Sequence, residues 1–239
     1  MITAQFAHGH GGTYKYYRCV RKSRQCEEPY VQEASLAAQC LGVLSPFGLN
    51  PEEASTTIKI LKEMAANDDH LLSTKTEKIE TRLEAIQDEL NRLTRSYGRG
   101  AINDESYATT TGELIAEKNV SKRQKERLQS NHGCLWLEPA KEVVQTLELA
   151  AKQATDKSQY EISRLVRKIG TNHRISEKAV SVGHAEPYDF VATYLSPYRF
   201  SPPHSLDKPS TVSLTSSILW RLADYLRTHF SKPDAREEG

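Results

Sequence analysis

An α+β fold dominated by helix is what these 239 residues predict, and three observations carry that reading. Residues 2–17 and 172–182 hold short runs of alternating or aromatic side chains punctuated by glycine or turn residues. Most of the remainder repeats its apolar residues at helical spacing. From Ile79 to Tyr97 these residues recur alternately four and three apart, which is the seam of a coiled coil. The expected architecture is a small β-ribbon hairpin sheet with helices and a protruding antiparallel coiled-coil arm.

Length allows one large or two small domains with a real core. Lysine and arginine number 32 against 31 acids, so the formal charge of +1 argues nothing about partners. Four cysteines, at 19, 26, 40 and 134, do not make a disulfide framework. Met1-Ile2-Thr3-Ala4-Gln5 has neither the basic nor the apolar part of a signal peptide. No apolar run approaches the roughly 20 residues of a membrane span. A cytoplasmic, reducing location with no membrane partner is therefore expected.

At the amino end Ile2, Ala4 and Phe6 alternate, Gly9, Gly11 and Gly12 supply a turn, and Tyr14 to Tyr17 favour a returning strand. Residues 1–30 are assigned to this ribbon, which reaches Cys19 and closes at Pro29-Tyr30. Residues 31–70 are assigned to connecting helices. From Val31 to Leu44, the residues Leu36, Ala37, Cys40, Val43 and Leu44 share one helical face, with Cys40 as a small buried hydrophobe. A second helix starts with Asn50 as N-cap, Pro51 at its first position and Glu52-Glu53 where acids oppose the helix dipole. Ile58, Leu61 and Met64 line its inner face.

Residues 71–134 are read as the arm, with Ile79, Leu83, Ile86, Leu90, Leu93 and Tyr97 as its seam and balanced charges between them. Tyr97-Gly98-Arg99-Gly100 ends the outgoing helix, and Asn103-Asp104-Glu105 caps a return helix to about His132. There Tyr107, Leu114, Ser121, Leu128 and Leu135 form a thinner seam. A pair with one rich and one poor face is only marginally stable alone, which invites packing on the body or pairing with a second arm.

Residues 135–183 predict a helix to about Gln153, anchored by Trp136, Leu137, Val143, Val144 and Leu147. A shorter helix follows, capped by Asp156, with Ile162, Leu165, Val166 and Ile169 buried and Gly170 as its C-terminal glycine. Short strands at Asn172 to Ser176 and Lys178 to Val182 are expected to complete the amino-terminal sheet. Residues 184–239 read as a Pro/Ser-rich linker to about 212 and a terminal amphipathic helix carrying Ile218, Leu219, Leu222, Tyr225, Leu226 and Phe230.

Two patterns carry chemistry. Residues 1–26 contain Lys15, Arg18, Arg21, Lys22 and Arg24 and no acid; interleaved with Tyr14, Tyr16 and Tyr17, they suit contact with phosphates. A solvated basic hairpin is the plainer reading of such a short cluster. The expected nucleic-acid contacts are Lys15, Tyr16, Tyr17, Arg18, Arg21, Lys22 and Arg24. Because neighbours on a strand point to opposite faces, only one of Tyr16 and Tyr17 can meet a ligand. The other pattern is Cys19 with Cys26, one pair where a structural zinc site needs four tetrahedral ligands. His8 and His10 are zinc ligands chemically, but a His-x-His pair beside a glycine turn makes a poor knuckle. The chain thus holds half a zinc ligand set and reads as a fragment that starts just past the other half. Cys134 reads as core. Phosphate loops, paired catalytic carboxylates, His-Glu-x-x-His and Gly-x-Ser-x-Gly are absent from the sequence, so neither an enzyme nor a small-molecule substrate is expected.

The order of Tyr16-Tyr17-Arg18-Cys19 to Cys26, Pro29-Tyr30-Val31, the 79–128 arm, Trp136-Leu137-Glu138-Pro139 and Lys168-Ile169-Gly170-Thr171-Asn172 resembles the carboxy-terminal region of large serine recombinases. The resemblance covers about residues 1–190. It implies a zinc ribbon that contacts DNA, with Cys19 and Cys26 as the second pair of ligands, and a coiled-coil arm through which subunits meet during synapsis. The family's first Cys-x-x-Cys and its catalytic serine domain have no counterpart here, so no catalytic residue is carried over. The expected function is the DNA-binding and subunit-interaction part of a site-specific recombinase, with DNA, recombinase subunits or a second copy as partners. The rival expectation is a helical protein that pairs through the arm without touching DNA.

Overall fold

The computed structural model describes residues 2–19, 28–130, 134–156, 158–199 and 214–231. The fold is α+β and mostly helical, with one three-stranded and one two-stranded antiparallel sheet. It divides into two units, Met1–Leu61 with Pro139–Gly239, and Lys62–Glu138.

In the first unit, β1 (Ile2–Gly9) and β2 (Gly12–Cys19) form the expected ribbon. Its turn ends at Gly12, whose φ of 133° is open to glycine and strained for other residues. The two-residue β3 (Val31–Gln32) pairs with β2 through Tyr16↔Gln32 and Tyr17↔Val31. Helix α1 (Glu33–Leu44) therefore starts later than the apolar face suggested. A 3-10 turn, Ser45–Phe47, leads toward helix α2 (Pro51–Gly98).

Two helices were expected where α2 runs unbroken for 48 residues and passes from the first unit into the second. Its segment Asn67-Asp68-Asp69-His70 carries no apolar residue, so the apolar spacing lapses there while the helix does not. Weak helix formers cost only up to about 0.7 kcal/mol each. Two new helix ends would instead leave four N–H and four C=O groups to be satisfied afresh, so continuity wins.

The core of the first unit draws on both ends of its sequence. Leu44, Phe47, Leu49 and Leu61 are fully buried, as are Val144 and Leu147 of α4 (Leu137–Asp156), Ile169 of α5 (Gln159–Ile169), and Leu222 and Leu226 of α7 (Ser216–Phe230). Leu49 N donates to Leu147 O at 3.2 Å. Phe47 meets His184 and Tyr188 edge-on, with ring centroids 4.9 and 6.4 Å apart.

Asp156 ends α4, and Ser158 takes the N-cap position of α5. Gly170 does follow α5, but in extended backbone with φ of −105°, so left-handedness is not what requires it. A Cβ there would collide with Val182 Cγ1 and lie 2.7 Å from Val166 O. The strands β4 (Gly170–Ser176) and β5 (Ala179–His184) form their own hairpin and do not extend the amino-terminal sheet. Side chains hold their tip instead. Gln39 donates to Lys178 O at 2.8 Å and accepts from Val180 N at 2.7 Å, while Glu28 accepts from Ser176 Oγ at 3.1 Å and Glu177 N at 2.7 Å.

The supposed linker contains α6 (Tyr188–Arg199), which buries Tyr188, Val191, Ala192 and Leu195, a stripe at i, i+3, i+4 and i+7. The rest of that span, 200–213, lies outside the described residues. Helix α7 belongs to the core: Ile218, Leu219, Leu222, Ala223 and Leu226 are buried, and Tyr225 stacks on Phe190 at 3.5 Å.

In the second unit, α2 runs antiparallel to α3 (Asp104–Ser130), whose start is capped by Asn103 Oδ1 accepting from Ser106 N at 2.8 Å. Contacts across the pair fix its direction: Arg82 to Glu117 at 2.6 Å, Glu80 to Lys125 at 2.7 Å, Gln87 to Lys118 at 2.6 Å, and Tyr97 stacked on Tyr107 at 4.2 Å. Ile86 is wholly buried and Leu114 nearly so; Ile79, Leu83, Leu90 and Leu93 are half-buried. Tyr97 is 38% exposed beside its stacking partner. Leu135 is 75% exposed and lies past the end of α3, so it leaves the seam. Cys134 is half-buried, and its thiol donates to Ala65 O at 3.2 Å. Among the described residues, no helix is long and apolar enough to cross a membrane.

Candidate nucleic-acid interface and adjoining cavity

The pleat of β2 divides its side chains between two faces. Lys15 and Tyr17 turn toward α1, where both engage Glu33: Lys15 Nζ pairs with its carboxylate at 2.9 Å and Tyr17 OH donates to it at 3.0 Å. The hydrogen bond from Lys15 holds the Glu33 carboxyl below its ordinary value, and the same bond raises the Lys15 ammonium. A lowered acid contributes above the ordinary carboxylate range and is lost as pH falls through its folded value. A raised amine contributes below the ordinary lysine range and is lost as pH rises, so the pair is intact across neutral pH.

Tyr14, Tyr16 and Arg18 occupy the opposite face with Thr3, Gln5 and Ala7 of β1 across from them. Arg18 donates to Tyr30 OH at 3.0 Å and lies 5.6 Å from that ring's centroid. The strand thus resolves the tyrosine ambiguity: Tyr17 packs inward and Tyr16 shares the outward face with Arg18. Lys15 and Tyr17, both expected to touch DNA, are committed to α1 because they share the face of β2 that packs on it. Arg21, Lys22 and Arg24 lie outside the described residues.

Cys19 is the last residue of β2, and Cys26 lies outside the described residues. The ribbon's register tests the histidine alternative. Cys19 pairs with Ile2, whereas His8 pairs with Thr13, six residues along β1. At about 3.4 Å per residue the separation is about 20 Å, and zinc ligands must sit within about 2.3 Å of one ion. His8 and His10 therefore cannot complete a site with Cys19; Thr13 Oγ1 and His8 Nδ1 instead form a hydrogen bond at 3.0 Å. Among the described residues no group of three or more His, Cys, Asp or Glu could hold a metal. Elemental analysis of the purified chain is expected to find well under one zinc per molecule, and stoichiometric zinc would show that other residues complete the Cys19 and Cys26 set.

Behind the ribbon, β1, β2, α1, α5 and β4 line an open cavity of about 550 Å³. Ala4, Leu36, Ala37, Ile162, Val166 and Ile175 give it apolar walls. Tyr17, Glu33, Ser163, Arg167 and His173 add polar groups, and Cys40 faces it with a thiol whose pKa burial pushes up. Cys40 is therefore half-buried at a cavity wall, where the sequence placed it in a core. The lining comes from five elements far apart in sequence, so no local motif announces it. No protein family, curated protein or solved structure matches the chain.

Proposed function

We propose that this chain is the DNA-binding and subunit-contacting region of a site-specific serine recombinase, without strand-cleaving activity of its own. The observation that carries the reading is the order of parts. A basic, aromatic β-ribbon precedes a long antiparallel helical pair, α2 with α3, and α4, α5 and a second short ribbon follow it. The outward face of β2, bearing Tyr16 and Arg18, supplies an aromatic ring and a guanidinium for base and phosphate contact. The sequence continues from there into Arg21, Lys22 and Arg24. The α2–α3 pair serves as the contact between subunits.

Fluorescence anisotropy with a labelled duplex tests this reading. Affinity is expected to fall steeply with salt, because each neutralised phosphate adds about 0.9 to the slope of log K against log salt. Arg21→Ala with Lys22→Ala should flatten that slope by about 1.8. Lys15→Ala should change it less, since Glu33 already engages that ammonium. Binding that is absent, or indifferent to salt, would leave the helical pair as the functional surface and remove DNA from the list of partners.

A further inference from the structure

The 550 Å³ cavity has a feature that DNA binding does not use. Ser163 and Arg167 line it and also line an adjoining groove of about 530 Å³ bordered by Tyr160, Arg164 and Lys168. An open, largely apolar cleft therefore adjoins a cationic groove. Arg164 is paired with Glu161 at 3.6 Å and Lys168 with Glu142 at 2.6 Å, but Arg167, at the junction, forms no ion pair among the described residues. Glu33, on the cleft wall, is already engaged by Lys15 and Tyr17. Small-molecule sites typically span about 300–1,000 Å³ with apolar walls and a few convergent polar groups.

We propose that this is a binding site for a small amphipathic anion, an aryl or acyl body held against Leu36, Ile162, Val166 and Ile175 with its carboxylate, sulfonate or phosphate head on the Arg167 guanidinium. Arginine suits that head because its planar fork donates two parallel hydrogen bonds to an oxyanion. Binding there involves no chemical step and does not depend on the chain touching DNA.

The probes are 1-anilinonaphthalene-8-sulfonate and its neutral analogue N-phenyl-1-naphthylamine, titrated into the full chain by fluorescence. The sulfonate is expected to bind about tenfold more tightly, the range a charged hydrogen bond supplies. Arg167→Gln, a substitution at an exposed position, should bring the two probes to near-equal affinity while circular dichroism stays unchanged. Cys40 reports where the dye sits. At a concentration ten times Kd, the sulfonate should slow iodoacetamide alkylation of Cys40 about tenfold and leave Cys134 unaffected, as followed by peptide mass spectrometry. Equal affinities in the parent chain, a preference that survives Arg167→Gln, or Cys40 alkylation indifferent to the dye would each overturn the proposal. Because none of these readings involves DNA, failure here and failure of DNA binding are separate results.

Discussion

Replacing Ile86 with aspartate is expected to open α2 from α3 and, on the function proposed above, to abolish the proposed contact between subunits without touching the proposed DNA-binding face of β2. Ile86 is 0% exposed, and the other seam residues of α2 are at most half-buried. The ion pairs beside it, Arg82 with Glu117 and Glu80 with Lys125, have partly exposed side chains. Such pairs are worth about 0–1 kcal/mol each, so they orient the helices without holding them. Removing a buried isoleucine costs about 2–5 kcal/mol, and a carboxylate enclosed among apolar groups adds several more unless it protonates. Two packed helices have little reserve against that sum. Circular dichroism should lose ellipticity on the scale of the 27 residues of α3, and trypsin should cut freely within residues 62–138. On the proposed subunit contact, analytical ultracentrifugation should show self-association of the parent chain and none of the variant. An Ile86→Asp chain with parent helicity and an intact 62–138 segment would show that the seam is not what joins these helices. An Ile86→Val control should stay within about 0.5–1.5 kcal/mol of the parent.

The sequence reveals that seam because its information is local: the four-and-three spacing from Ile79 to Tyr97 needs no knowledge of the partner helix. The same holds for Asn50 as a cap and for the buried face of α5. What stays hidden depends on distant residues. The separate β4–β5 hairpin rests on Gln39 and Glu28, which are 139 to 149 residues from the groups they bind. Pro197 and the prolines and serines after it give 184–212 the composition of a linker, which hides the stripe of Tyr188, Val191, Ala192 and Leu195. Strand alternation shows that one of Tyr16 and Tyr17 must turn inward, but the choice rests on Glu33, which follows β3, the strand that pairs with β2. The basic, aromatic character of the candidate interface is thus legible in the chain, whereas the place of Arg167 beside a cavity, with no ion pair among the described residues, is a product of the tertiary fold alone.

Glu53 was expected to do no more than oppose the helix dipole, and the structure gives it a larger effect on stability. It is 2% exposed, and its two carboxylate oxygens accept from Asn50 N at 2.9 Å and from Leu214 N at 2.8 Å, while its own N–H donates to Asn50 Oδ1 at 2.8 Å. The first and third bonds form a reciprocal capping box at the start of α2; the second ties in the residue just ahead of α7. Glu53→Ala leaves two N–H groups without that acceptor. At about 1–3 kcal/mol each, the loss is about 2–6 kcal/mol, a large share of the 5–15 kcal/mol that stabilises a typical domain. Glu53→Gln keeps one acceptor oxygen but turns an amide NH₂ toward a donor, and should cost roughly half as much. Helix α7 should nevertheless stay docked, because burial of Leu219, Leu222 and Leu226 contributes about 1.5–3 kcal/mol each and exceeds the one bond lost at Leu214. The damage should therefore appear as a lower urea midpoint, together with faster hydrogen exchange of the Leu214 and Asn50 amides and unchanged exchange at Leu222. A Glu53→Ala chain within 1 kcal/mol of the parent, with Leu214 still protected, would mean that apolar packing alone fixes the approach to α7 and that the buried carboxylate is incidental.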